Sequence, residues 1–84
     1  MEYEYLKYPR SVVALSEEIK RVVNDYDARR IGNDEVKDII LWYANTCPQK
    51  LYQGQGYNKS VKKLIGKRRT ELLDAVLKEY KTSF

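Results

Sequence analysis

Positively charged side chains are concentrated in one stretch of this chain. Residues 50–70 carry seven basic side chains and no acidic one, although the whole 84-residue chain has a formal net charge of only +4. The seven are Lys50, Lys59, Lys62, Lys63, Lys67, Arg68 and Arg69. A surface with such a charge attracts polyanions or acidic protein surfaces, and the charge alone does not decide between them.

Two helical arrangements fit the segment 61–73, VKKLIGKRRTELL. In one, the helix breaks at Gly66 and Lys67, Arg68 and Arg69 form a new first turn. Free N–H groups and three cations would then make a phosphate site, although cations are otherwise disfavoured at that end of a helix. In the other, one continuous helix lays the stem of Arg68 along the edge of the core, and the lysines form an ordinary solvated face.

Two tyrosines flank the basic residues. Tyr52 and Tyr57 lie in the glycine-bearing stretch 51–58, LYQGQGYN. There they either stack on nucleic-acid bases or on a partner, or fill the space under a loop. The GQG triplet lacks the GK[ST] of a P-loop, so it does not indicate a nucleotide site.

Residue types exclude several kinds of function. The chain has no histidine and a single cysteine, which argues against a zinc site and against most catalytic triads and dyads. We therefore expect no enzymatic activity, no metal and no cofactor. The longest apolar run, at 39–44, is far shorter than a membrane span, and the lone Cys47 suits a reducing cytoplasm.

Apolar spacing and capping residues predict three helical stretches. The first runs from about 11 to 30, with Ser11 as its cap, Arg29 and Arg30 in its last turn and Gly32 just past its end. The second is capped by Asn33 or Asp34 and stopped by Pro48. The third begins at Asn58. The expected fold is all-α, a single small domain over residues 1–84 with three to four helices. A short two-stranded β element is an option, formed by pairing residues 2–8 with the loop at 51–58.

Three segments also resemble a known family. LSEEIKRVVNDY at 15–26, DIILWYANT at 38–46 and IGKRRTELLDAVL at 65–77 are similar to short uncharacterised proteins of low-GC Gram-positive bacteria and their phages. The resemblance covers about residues 9–80. It implies no activity, cofactor or catalytic residue, and it suggests a cytoplasmic accessory protein encoded by a phage or mobile element.

Two functions remain open at this point. In the first, an accessory or regulatory protein binds DNA or RNA phosphates through a set of basic residues at 59–69, with Tyr57 stacking on a base. The basic residues of that set are Lys59, Lys62, Lys63, Lys67, Arg68 and Arg69. In the second, a modulator or inhibitor docks on an acidic surface of a host enzyme without nucleic-acid contact. Homodimer formation is compatible with both, because a chain this small often completes its core across a two-fold axis.

Overall fold

The fold is a small helical domain with a β-hairpin at one connection. The computed structural model describes residues 4–54 and 56–81, and over these residues it contains five helices and two short strands. They are α1 (Val12–Asp27), α2 (Asn33–Thr46), α3 (Pro48–Leu51), β1 (Tyr52–Gln53), β2 (Gly56–Tyr57), α4 (Lys59–Ile65) and α5 (Lys67–Lys81). The all-α prediction with a two-stranded element is confirmed.

The core lies where α1, α2, α4 and α5 meet. Helix α1 packs against α2 and α4, and α5 packs against α2 and α4. The largest fully buried side chains come from every helix: Leu15, Ile19, Val22, Ile39, Ile40, Tyr43, Leu51, Val61, Ile65, Leu73 and Leu77. Except for Leu51, these residues lie in the predicted helical stretches, where an apolar stripe is buried against a neighbouring element. Leu51 lies at the end of α3, a helix that the sequence did not predict.

Helix α1 ends three residues earlier than its sequence predicted. The amide N–H of Arg30 donates to the Asp25 carbonyl at 2.8 Å and that of Arg29 to the Tyr26 carbonyl at 3.1 Å, a Schellman arrangement. Arg29 itself takes the left-handed conformation, with φ of 61°. The prediction that Arg29 and Arg30 lie in the last helical turn was therefore wrong, because hydrogen bonds to α1 carbonyls turn the chain before Gly32 is reached.

The N-termini of the helices are mostly fixed by capping side chains that the sequence identifies. Ser11 accepts a hydrogen bond from the Ala14 N–H at 3.0 Å, and Asn58 accepts one from the Ser60 N–H at 2.8 Å. Both caps were predicted. The cap of α2 is Gly32 rather than Asn33 or Asp34, because the Glu35 carboxylate accepts the Gly32 N–H at 3.3 Å and so fixes the first turn one residue earlier.

The β-hairpin pairs two neighbouring strands. Tyr52 faces Tyr57 and Gln53 faces Gly56 in an antiparallel ladder. The predicted pairing of residues 2–8 with this loop was wrong for residues 4–8, which form no strand, whereas residues 2 and 3 lie outside the described residues. A two-residue ladder closed by a local turn costs far less chain entropy than pairing with a segment more than forty residues away, which explains the outcome.

Residues 4–11 form an N-terminal strap that crosses α1 and α2. The Tyr5 hydroxyl donates to the Asp25 carboxylate. The Trp42 indole N–H donates to the Lys7 carbonyl at 2.9 Å, and the Tyr43 hydroxyl donates to the Leu6 carbonyl at 2.7 Å. These side-chain donors satisfy backbone carbonyls that have no partner in regular secondary structure, and so they hold the strap in place.

Alkaline pH is expected to unfold the protein through its buried tyrosines. Burial, and then the charge of Glu18, raise the pKa of Tyr43 well above its ordinary value of 10.0. Above pH about 10 the unfolded chain loses this proton first, so the contribution is complete below that pH and declines by about 1.4 kcal/mol per pH unit above it.

Tyr43→Phe tests that expectation. At pH 7 the variant should lose about 1 kcal/mol, because the Leu6 carbonyl loses its hydrogen bond. Above pH about 10 its free energy of unfolding should fall less steeply than that of the wild type, as measured by urea denaturation across pH 7–11. Tyr8→Phe removes an exposed hydroxyl and serves as the control. Parallel pH profiles for wild type and Tyr43→Phe would contradict the assignment.

No helix in the described part of the chain is both long and apolar enough to cross a membrane.

Candidate functional site

Four lysines form one exposed surface on α4 and the start of α5. We call Lys59, Lys62, Lys63 and Lys67 the lysine face. All four side chains are exposed, because α4 turns Val61 and Ile65 into the core and its three lysines to water, and Lys67 lies exposed at the start of α5. Among the residues that the structure describes, none of these lysines forms an ion pair. The charge of the lysine face is therefore not neutralised by the fold.

Gly66 bends the chain between the two helices. Its φ of 87° and ψ of 168° end α4 after Ile65, and α5 begins at the next residue. Lys62, Lys63 and Lys67 line a shallow open groove at this junction, together with Thr70 and Glu71. Of the two arrangements that fit the sequence, the structure has the break at Gly66, which brings lysines from two helices to one groove.

Arg69 is used by the fold. Its guanidinium donates from Nη1 to the Ile65 carbonyl at 2.9 Å and from Nη2 to the Asn24 Oδ1 at 3.1 Å. The first bond satisfies a carbonyl at the C-terminal end of α4, where the helix dipole also favours a cation. The second bond ties α5 to α1. Arg69 is thus explained without any ligand.

Arg68 contacts α1 as well. Its Nη2 lies 3.0 Å from Asp27 Oδ2, but the arginine side chain remains 81% exposed. Such an exposed ion pair contributes at most about 1 kcal/mol to stability. The cations in the first turn of α5 therefore have different roles, because Arg68 and Arg69 contact α1 and only Lys67 joins the groove.

Replacing Arg69 by glutamine is expected to lower the free energy of unfolding by about 1 kcal/mol. The variant loses the charged donor to the Ile65 carbonyl and the contact with Asn24. Lys67→Gln is the matched control on the same turn. It should change stability by less than about 0.5 kcal/mol, because the Lys67 side chain is exposed and forms no ion pair with a described residue. Urea denaturation of both variants makes the comparison. Equal effects would show that Arg69 has no structural role.

Tyr57 packs differently from a free stacking residue. Its ring lies on that of Tyr52, with centroids 5.7 Å apart and an interplanar angle of 16°, and both rings pack against the core. The Tyr57 hydroxyl is buried without a well-formed hydrogen bond to any described residue. Burial, and then the neighbouring Asp74 carboxylate, raise the pKa of Tyr57 above its ordinary range.

Lys50 lies on α3 and does not line the groove.

A family model matches residues 6–78 of the chain, which is most of its length. This chain belongs to a family of conserved hypothetical proteins. The match extends from the N-terminal strap to within a turn of the end of α5, so it includes the whole lysine face and the Gly66 junction. The expected membership of a family without a known activity is confirmed. No curated protein and no solved structure matches the chain.

Sequence reasoning missed two groove residues, Thr70 and Glu71. Thr70 is buried, and its hydroxyl donates to the Gly66 carbonyl at 2.8 Å. Glu71 follows Lys67 by four residues, a spacing that places the two side chains on the same face of a helix. That spacing was a usable signal for an acid beside the lysines.

Over residues 4–54 and 56–81, no group of three or more acidic, cysteine or histidine side chains is placed to hold a metal ion.

Proposed function

We propose that this protein is a cytoplasmic accessory or regulatory protein that binds nucleic acid through the lysine face. The observation that carries the proposal is the set of exposed lysines on two helices, which the described residues leave without ion-pair partners. Unpaired ammonium groups on one surface release the condensed counterions of a nucleic acid when they contact its phosphates. Such contacts give affinity and orientation.

The same surface is less suited to a protein partner. Tight protein interfaces are centred on aromatic or arginine anchors that enter pockets. Neither nearby arginine lines the groove, because Arg69 is bonded to Asn24 on α1 and the exposed Arg68 pairs with Asp27. Among the described residues, the large hydrophobic side chains that are exposed lie on the N-terminal strap and at the start of α1: Leu6, Tyr8 and Val13. The experiment below must therefore distinguish a nucleic acid from the alternative partner, an acidic protein surface.

Binding to short labelled nucleic acids tests the proposal. Single- and double-stranded DNA and RNA of about 20 nucleotides would be titrated by fluorescence anisotropy at about 50 and 200 mM salt. The four lysines predict a slope of log affinity on log salt near −3.6 for duplex DNA, at about −0.9 for each contact. Micromolar or tighter binding with this slope supports the proposal. Failure to bind any of these nucleic acids at the lower salt would reject it and favour an acidic protein partner.

Glu71→Gln is expected to strengthen binding to nucleic acid about two- to fivefold. The Glu71 carboxylate lines the same groove as Lys62 and Lys67, so it repels a phosphate that these lysines attract. An exposed charge at such a distance is worth about 0.5–1 kcal/mol. Asp38→Asn changes the net charge equally at an exposed site on α2 that does not line the groove. Equal gains for both variants would indicate a general charge effect.

A further inference from the structure

We infer that the lysine face recognises the phosphate backbone of a duplex, independently of base sequence and without base stacking. This inference rests on the proposed function and specifies the class of nucleic acid. It follows from which side chains the fold leaves exposed at the surface and which it engages in internal contacts.

The side chains whose planar donor groups suit base edges are engaged in the fold or lie outside the groove. Arginine and asparagine make the bidentate contacts that distinguish guanine and adenine. Here Arg69 donates to the Ile65 carbonyl and to Asn24, and the amide oxygen of Asn58 caps α4. Arg68 is exposed, but it pairs with Asp27 and does not line the groove. Over the described residues, the lysine face itself presents only ammonium groups, which contact phosphates as point charges.

The aromatic side chains nearest in sequence are also engaged. Binding of single strands without sequence preference relies on exposed rings on which successive bases stack. Tyr52 and Tyr57 stack on each other across the hairpin and pack on the core. Tyr8 and Trp42 lie on the N-terminal strap and α2, where Trp42 is held by the Lys7 carbonyl, and neither lines the groove. A single strand would therefore gain no stacking energy in the groove.

The spacing of the charges favours a duplex. Lys59 and Lys63 lie about 6 Å apart along the axis of α4, at about 1.5 Å for each helical residue. Over that length a duplex presents about three to four phosphate charges and a single strand about half as many. A duplex therefore offers more phosphates within reach of the lysine face than a single strand does.

Two unrelated duplex DNAs of about 20 base pairs and their separated strands test this inference with the wild-type protein at about 50 mM salt. We expect the two duplexes to bind within about twofold of each other and each single strand to bind at least about tenfold more weakly. A larger difference between the duplexes, or single strands that bind as tightly as duplexes, would overturn the inference and leave the proposed function standing. Absence of binding to every probe would overturn both.

A hairpin variant tests the stacking argument separately. Tyr57→Leu removes the ring and should leave the affinity for duplex and single strand unchanged within about twofold, provided that circular dichroism shows the wild-type helix content. A tenfold loss of single-strand binding in this folded variant would show that Tyr57 stacks on bases. Since the comparison of wild-type affinities needs no substitution, the inference stays testable even if the variant fails to fold.

Discussion

Replacing Lys62, Lys63 and Lys67 together by glutamine is expected to weaken duplex DNA binding on the order of 10²-fold at about 0.1 M salt. The three side chains line one groove and have no ion-pair partner among the described residues. Each lost phosphate contact should also reduce the salt slope by about 0.9, so the triple variant should retain a slope near −0.9. Anisotropy titrations over a salt series measure both quantities.

The matched control removes three positive charges elsewhere. Lys7→Gln, Arg10→Gln and Lys78→Gln lie on exposed positions outside the lysine face and the groove. This control should lose less than about tenfold in affinity, because it changes the net charge without removing a contact. Equal losses in the two triple variants would mean that net charge, and not the lysine face, governs binding. Both variants should keep wild-type stability within about 0.5 kcal/mol for each exposed substitution.

Gly66→Ala is expected to lower the free energy of unfolding by about 2 kcal/mol. The φ of 87° and ψ of 168° at this residue lie in a region that is essentially restricted to glycine. A Cβ at this position would meet no atom within 4 Å, so the whole cost is backbone strain. The alternative for the chain is to straighten α4 into α5. That movement would draw Ile65 or Leu73 out of the core, where both are fully buried.

Gly56→Ala is the control for this prediction. Its Cβ would also meet nothing within 4 Å, and its backbone is not in the left-handed region. The substitution should change stability by less than about 0.5 kcal/mol. Urea denaturation of the two variants separates strain from the general effect of adding a methyl group. Equal stabilities of Gly66→Ala and the wild type would show that the break at Gly66 is not required.

Local chemistry predicted the helices and most of their starts. The apolar spacing around Leu15 and Ile39 identifies the buried faces of α1 and α2, because a helix repeats every 3.6 residues. Ser11 and Asn58 were identified as caps because their side-chain oxygens reach N–H groups only two or three residues away. Each of these features depends on residues within one or two turns, which is the range over which a sequence pattern is informative.

The sequence predictions failed where tertiary contacts or competing local hydrogen bonds determine the end of a helix or the partner of a strand. The glycine at position 32 predicts a later end for α1 than the structure has, because the turn is made by Arg29 in the left-handed conformation. The predicted pairing of residues 2–8 with the loop at 51–58 was wrong for residues 4–8. This segment is held on α1 and α2 by side-chain donors, among them Trp42 and Tyr43. An alternation of polar and apolar residues does not specify which groups will form hydrogen bonds with the backbone N–H and C=O groups of that segment.

The sequence by itself determined a helical domain and a concentration of basic residues between 50 and 70, whereas the break at Gly66 was decided only by the structure. Only the tertiary structure decided which of those cations remain available to a ligand. Arg69 bonds to Asn24, which is 45 residues away in sequence, and Arg68 pairs with Asp27; both partners lie on α1. Such contacts depend on where α5 lies relative to α1, which follows from the packing of α5 on α2 and α4 over the whole core rather than from any local pattern. Because Arg68 and Arg69 make these contacts and Tyr57 packs on the core, the candidate site contracts from six basic residues and Tyr57 to a face of four lysines.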